Sequence, residues 1–293
     1  MARILITGAG GFLGGHLVVA AARAGDDVTA AFHARRPDGG PPVRWIRLDL
    51  EDERATIELI RRAAPEIVLH AAAMSKPDDC ERDPERAKRV NTRGSGILAR
   101  ACAVNGARLV AVSTDLVFDG ETPPYSEEAP ARPLSLYGRT KLEAERTVLE
   151  NAPGAAVARI ALLYGRPALG GSSFSEWLRT NWEAGKRTSL FSDQYRTMIG
   201  GANIAAALLE LARSEFRGLI HVAGSERISR LEFGRRLGAR LGADPALIRP
   251  AAMADVPSLA SRPADVSLEI ILARRILRTP LLDCRDGITA AYF

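Results

Sequence analysis

The sequence is short of cysteine, lysine and aromatics, and each shortage closes off a class of function. Three cysteines in 293 residues (Cys80, Cys102 and Cys284) are too few for a disulfide framework, odd in number and without metal-ligand spacing. Reduced thiols and a cytoplasmic location are therefore expected. Met1 also leads straight into a strand pattern, without the layout of a secretory leader. No apolar run is long enough to span a bilayer, so no membrane partner is expected. The histidines, His16, His33, His70 and His221, have no mutual spacing for a metal, and none is expected to bind. Lysine is confined to Lys76, Lys88, Lys141 and Lys186, so the net charge of +5 is carried almost wholly by arginine. Those arginines are scattered along the chain, which argues for compositional bias and against a nucleic-acid footprint.

What is present is an alternation of apolar strands and helical spacings. Strand patterns occupy Arg3–Thr7, Val28–Phe32, Val43–Leu48, Glu66–His70, Arg108–Ser113 and Ala156–Leu162. Between them lie helical patterns over Phe12–Arg23, Asp52–Ala64, Pro84–Asn105 and Ser135–Glu150. Continuous apolar strands that alternate with helices imply a parallel sheet covered on both faces. After residue 162 the rhythm slackens into helices over Ser172–Ala184, Gly201–Ala212 and Ser229–Leu241, with one strand over Gly218–Val222. The expected fold is α/β: a Rossmann-type doubly wound parallel sheet over residues 1–162, then a smaller C-terminal substrate-binding lobe over 163–293. Part of that lobe is expected to pack back on the sheet.

The first strand runs into Thr7-Gly8-Ala9-Gly10-Gly11-Phe12-Leu13-Gly14 and then a helix. Glycines at this spacing let the backbone approach a pyrophosphate at the helix N-terminus, so Gly8, Gly11, Phe12, Leu13 and Gly14 are expected cofactor contacts. About 20 residues on, the second strand ends in Phe32-His33-Ala34-Arg35-Arg36, where a chain specific for NAD usually carries an acidic residue. Guanidiniums there can pair with the 2′-phosphate of NADP, so His33, Arg35 and Arg36 point to NADPH, with NADH as the alternative. Asp49 and Leu50, at the end of the third strand, are placed to meet the adenine.

Tyr137 and Lys141 stand four residues apart on a helical pattern, so the phenol and the ammonium share one face. A neighbouring cation stabilises phenolate, which predicts a lowered pKa for Tyr137 and proton transfer to a carbonyl as hydride arrives. Ser113, Thr114 and Asp115 end the fifth strand, at the sheet edge where such folds bind ligands.

From these residues the chain resembles the extended short-chain dehydrogenase/reductases, and within them the dTDP-4-dehydrorhamnose reductase group. Matching stretches are His70-Ala71-Ala72-Ala73, Asp83-Pro84-Glu85, Val90-Asn91 and Ser113-Thr114-Asp115-x-Val117-Phe118-Asp119-Gly120. So are Tyr137-Gly138-x-x-Lys141-x-x-x-Glu145, Asp193-Gln194-x-x-x-Thr197 and Arg262-Pro263-x-Asp265-x-Ser267-Leu268. The resemblance implies a catalytic triad of Thr114, Tyr137 and Lys141, with Tyr137 and Lys141 also touching the cofactor. It implies that Ala71, Ala72, Ala73 and Ser113 line the nicotinamide side. Its substrate is a 4-keto-6-deoxyhexose on a nucleoside diphosphate, for which Lys76, Asp115, Leu116, Gln194, Arg196 and Arg262 are the candidate contacts. A homodimer is compatible with this reading.

Three departures lie on the presumed sugar side: Leu116 in place of a tyrosine, Tyr195-Arg196 after Asp193-Gln194, and the run Met198-Ile199-Gly200-Gly201-Ala202-Asn203. The rivals are a sugar-nucleotide dehydratase, which would carry Glu at 116, a C4 epimerase, and a non-catalytic NADP-binding regulatory subunit. The intact Thr114, Tyr137 and Lys141 favour chemistry over the last.

Overall fold

The computed structural model describes residues 1–293. Its centre is a sheet of seven strands: β1 (Arg3–Thr7), β2 (Asp27–Phe32), β3 (Arg44–Arg47), β4 (Ile67–His70), β5 (Arg108–Thr114), β6 (Ala156–Ile160) and β7 (Gly218–Val222). They lie in the order β7-β6-β5-β4-β1-β2-β3, every pair parallel. The principal helices are α1 (Phe12–Arg23), α2 (Glu53–Ala63), α3 (Gly94–Val104), α4 (Leu136–Asn151), α5 (Phe174–Glu183), α6 (Gly201–Arg213), α7 (Arg230–Leu241) and α8 (Cys284–Tyr292).

Strand side chains alternate between two buried layers, as period-2 geometry requires. Ile4, Ile6, Val28, Ala30, Leu69, Val110, Ala158 and Ile220 face the layer under α1 and α6. Leu5, Ala31, Val68, Leu109, Ala111 and Val157 face the layer under α2, α3 and α4. Burying both faces of each strand explains why these runs read as continuously apolar. The order reverses between β1 and β4, which opens a crevice at the carboxyl ends of the strands. Thr7, His70 and Thr114 end the strands that border it.

The expected alternation is present, with shifted boundaries. Residues 84–104 are helical, but not as one α-helix. Pro84–Ala87 is α, Lys88–Arg93 winds as a π-helix, and α3 follows. The wide turn holds the buried Asn91 where its amide bonds the backbone of Met74 and the hydroxyl of Thr140, tying three segments together. A further short helix, Pro77–Arg82, had no apolar period to announce it. The sixth strand stops at Ile160; Leu163–Tyr164 instead pairs with Ile199–Gly200. The sheet is completed by β7 from the C-terminal half, and the rest of that half has its own core around Tyr164, Leu178, Trp182 and Phe233. No helix is long and apolar enough to cross a membrane.

Candidate active site

The glycine turn is built for close approach. A Cβ on Gly14 would lie 2.0 Å from the carbonyl oxygen of Gly8, so only glycine lets the first turn of α1 fold back on the strand end. The N-cap of α1 is Gly11, which offers no capping side chain, so the first N–H groups of this helix remain available to an anion. Beside the turn, the Thr7 hydroxyl pairs with His70 Nδ1 at 2.7 Å and accepts from Ala72 N at 3.3 Å. His70 Nε2 lies 3.0 Å from the Ser95 hydroxyl, which itself donates to the carbonyl of Asn91. His70 is thus a buried strut beneath the turn, and it sets Ala71–Ala73 along its flank. The turn, the free helix N-terminus and the small residues at the end of β4 together fit a dinucleotide.

The residues expected at the adenine end are nearby but engaged with one another. Arg35 pairs with Asp38 at 3.0 Å on the open surface, and Arg36 lies over the Trp45 ring at 5.7 Å. His33 Nε2 is 3.6 Å from Asp49, whose other oxygen accepts from Glu51 N. The cap of α2 is Asp52, which accepts from Ala55 N. Leu50 is buried against α3.

At the centre of the crevice, Ser135 caps α4 through Gly138 N. A Cβ on Gly138 would fall 2.3 Å from the carbonyl oxygen of Leu116, so this glycine lets α4 press against the turn after β5. The pressing brings Tyr137 beside Thr114, whose hydroxyl donates to Asp115 Oδ1 at 3.3 Å and accepts from Leu116 N at 3.2 Å. It also encloses Tyr137 with Cys80, Ala87, Met74, Leu116 and Leu136. The expected lowering of the Tyr137 pKa is not what the structure gives. Burial pushes it up, the nearby Thr114 hydroxyl opposes that only in part, and the Asp115 carboxylate adds to the rise. Lys141 does not produce the predicted fall. Its ammonium, buried to 5% exposure, donates instead to the Val112 carbonyl at 2.7 Å, and burial lowers its own pKa to about 8. Four-residue spacing aligned the two groups correctly but could not report the dielectric around them.

The C-terminal half closes the crevice with guanidinium groups. Arg196 donates from one nitrogen to both oxygens of Asp115 at 2.6 Å, a pair exposed by only 6% and 2% that joins the two halves of the chain. Burial raises the Asp115 carboxyl above its ordinary range and Arg196 offsets part of that rise. Arg196 Nε is buried with no partner. Arg230, at the first position of α7, donates to Gln194 Oε1 and stands over the Phe174 ring at 4.4 Å. Enclosure, with Arg196 and Arg262 close by, draws its pKa down to about 9, still charged at neutral pH. Arg262 stands over Phe191 at 5.1 Å. Phe174 and Phe191 therefore carry arginines, whereas Trp182 is core and donates to Thr188, and Trp177 is half exposed beside Phe174. Gln194 is buried and also donates to the Pro263 carbonyl. Lys76 is exposed at the start of the Pro77–Arg82 helix.

Sequence reasoning missed Arg230. The cap at Ser229 marks the helix start, but nothing local singles out one arginine among so many. Its signal is topological: Ile228–Ser229 pairs antiparallel with Tyr195–Arg196, which delivers the next residue to the same pocket.

Comparison with known proteins agrees with this architecture. Residues 2–292 match the family described as RmlD substrate binding domain. A dTDP-4-dehydrorhamnose reductase of Mycobacterium tuberculosis is 35% identical over 295 residues, covering 99% of this chain and 92% of that protein. Methionine adenosyltransferase 2 subunit beta of Mus musculus is 33% identical over 275 residues, covering 91% of this chain and 80% of that protein. Among solved structures, the dTDP-4-dehydrorhamnose reductase of Bacillus anthracis in complex with NADP superposes with a TM-score of 0.85 at 23% identity, covering 99% and 98% of the two chains. The chain belongs to the RmlD substrate-binding-domain family and has its extended Rossmann fold.

Proposed function

We propose that this protein is an NADPH-dependent ketoreductase acting on a nucleotide-linked 4-keto-6-deoxy sugar, in the cytoplasm. The observation that carries the reading is the meeting of Tyr137 and Lys141 on α4 with Thr114 at the end of β5, all three buried at the crevice. Carbonyl reduction needs a proton donor where the oxygen gains charge, and the Tyr137 hydroxyl is the donor at this point of the crevice. NADPH, when bound at the glycine turn, supplies the hydride.

In this reading the Thr114 hydroxyl holds the substrate oxygen beside Tyr137, and Tyr137 gives up its proton as negative charge develops there. The Lys141 ammonium, one helical turn along α4 and bonded to the Val112 carbonyl, would hold the cofactor ribose once NADPH is bound. Arg196, Arg230 and Arg262, three guanidiniums with Asp115 and Asp78 as the neighbouring carboxylates, suit a diphosphate. Leu116 and Met74 give the reacting end an apolar wall that suits a carbon without a hydroxyl. Leu116 also leaves no base for a dehydration.

Oxidation of NADPH at 340 nm against a panel of dTDP-4-keto-6-deoxy sugars tests the proposal. Tyr137→Phe should lower kcat at least about 100-fold and leave cofactor affinity nearly unchanged. A mutant that keeps more than about a tenth of its rate removes Tyr137 as the proton donor. The likeness to methionine adenosyltransferase 2 subunit beta supports one second reading, a non-catalytic nucleotide-binding subunit. Cofactor binding without turnover on any sugar of the panel would favour it.

A further inference from the structure

The face of α4 that carries Tyr137 and Lys141 continues one more turn to Glu145. Glu145 is 3% exposed and every contact it makes is directional. Its Oε1 accepts from Arg159 Nε at 2.9 Å and from the Ser113 hydroxyl at 2.5 Å, and its Oε2 accepts from Arg159 Nη2 at 2.7 Å. Arg159, on the neighbouring strand β6, is 3% exposed, lies over the Phe118 ring at 5.1 Å and leaves Nη1 without a partner. Ser113 follows Val112, the residue whose carbonyl receives Lys141. Lys141 and Glu145 are therefore fastened to consecutive residues of β5, one through the backbone and one through a side chain.

A buried ion pair of this kind is a poor source of stability, since desolvation of two charges offsets most of their attraction. Its value must be sought in what it does to its surroundings. The charged or titratable groups nearest Lys141 are His70 from β4, Tyr137 and Glu145 on its own helix, and Arg159 on β6 behind Glu145. His70 is kept neutral by burial, so it adds no like charge beside Lys141. Asp115 is spent on Arg196 and acts on Tyr137. That leaves Glu145 as the one anion supporting the Lys141 ammonium, and it opposes the depression that burial causes.

We propose that Glu145 is a positioning residue for the Tyr137–Lys141 pair: Arg159 and Ser113 lock its carboxylate one turn below Lys141, where its fixed negative charge holds that side chain as an aimed ammonium. This rests on the ketoreductase reading only for its kinetic consequence. Without the carboxylate, Lys141 and Arg159 become two buried cations with no shared counter-charge, and Lys141 loses its proton more readily.

The test uses Glu145→Gln, which keeps the shape, and Glu145→Gln/Arg159→Gln, which removes both charges and protects folding. With four lysines in the chain, 13Cε-lysine NMR resolves Lys141, assigned by the signal lost in Lys141→Met. The Lys141 titration midpoint should begin near 8 and fall by about one unit in Glu145→Gln, with a smaller fall in the double variant because the repulsion from Arg159 has gone too. The alkaline limb of kcat/KM should move down with it, and Glu145→Asp should restore part of the shift. A folded Glu145→Gln protein with an unchanged midpoint overturns the proposal, leaving Glu145 a strut between α4 and β6. If Glu145→Gln does not fold, the double variant decides by the same criterion. Absence of turnover in the unmutated protein would count against the ketoreductase reading, while the NMR midpoint would still decide the role of Glu145.

Discussion

Lowering the pH from 7 to 5 should destabilise this protein through two imidazoles that the fold keeps neutral. His70 and His221 are 1% and 0% exposed, and burial pulls each from 6.5 to about 3. His70 is occupied on both nitrogens by the hydroxyls of Thr7 and Ser95, while Arg159 adds its repulsion to any charge on His221. The unfolded chain takes up a proton at each near pH 6.5, whereas the folded chain does so only near 3. Between those values the unfolded state binds more protons, so stability is complete above 6.5 and is lost as the pH falls. At pH 5 the loss is about 2 kcal/mol for each histidine. The two stand on β4 and β7, about 14 Å apart across the sheet, far enough for their effects to add. A chain of this length unfolds with an entropy of about 0.6 kcal/mol per kelvin, so the combined loss should lower Tm by about 6 °C. Melting followed by far-UV circular dichroism at pH 7, 6 and 5 and constant ionic strength measures it. In His70→Gln the change between pH 7 and 5 should shrink to about 3 °C. A mutant that keeps the full pH dependence of its parent would refute the reasoning, as would a parent whose Tm moves by less than about 2 °C.

Two other outcomes follow from the charged contacts. Asp115→Asn should cost about 3–5 kcal/mol, because it leaves Arg196 buried and unpaired, and Tm should fall by about 5–8 °C. Adding Arg196→Met should restore most of that loss while further weakening nucleotide-sugar binding; a double mutant no more stable than the single one would show that the pair is not the source. Replacing Arg35 and Arg36 by Ala should lower kcat/KM with NADPH at least about tenfold and leave the NADH value unchanged. An equal fall with both cofactors would mean that these arginines, which are paired with Asp38 and stacked on Trp45, do not read the 2′-phosphate.

The parts of this protein that were legible in its sequence are those in which chemistry is local. A strand buried on both faces is written as a run such as Ile4-Leu5-Ile6, and the glycine turn as Gly8, Gly11 and Gly14 within seven residues. Tyr137 and Lys141 share a helix face by spacing alone. The π-turn at 88–93 escaped because its stabilising bonds run from Asn91 to Met74 and Thr140, neither of which shares its periodicity. Arg196 was found by its motif neighbours, but its partner Asp115 lies 81 positions away, and Arg230 enters the same pocket only through the pairing of two-residue strands. The sign of the Tyr137 shift was misjudged for the same reason. A pattern on one helix names the nearest charge, whereas the pKa depends on what the rest of the chain packs around the phenol: Cys80 and Leu136 exclude water, and Asp115 adds a like charge to the phenolate. Burial alone makes this phenol a weaker acid, so efficient donation requires the bound cofactor and substrate to bring its pKa back toward the working range.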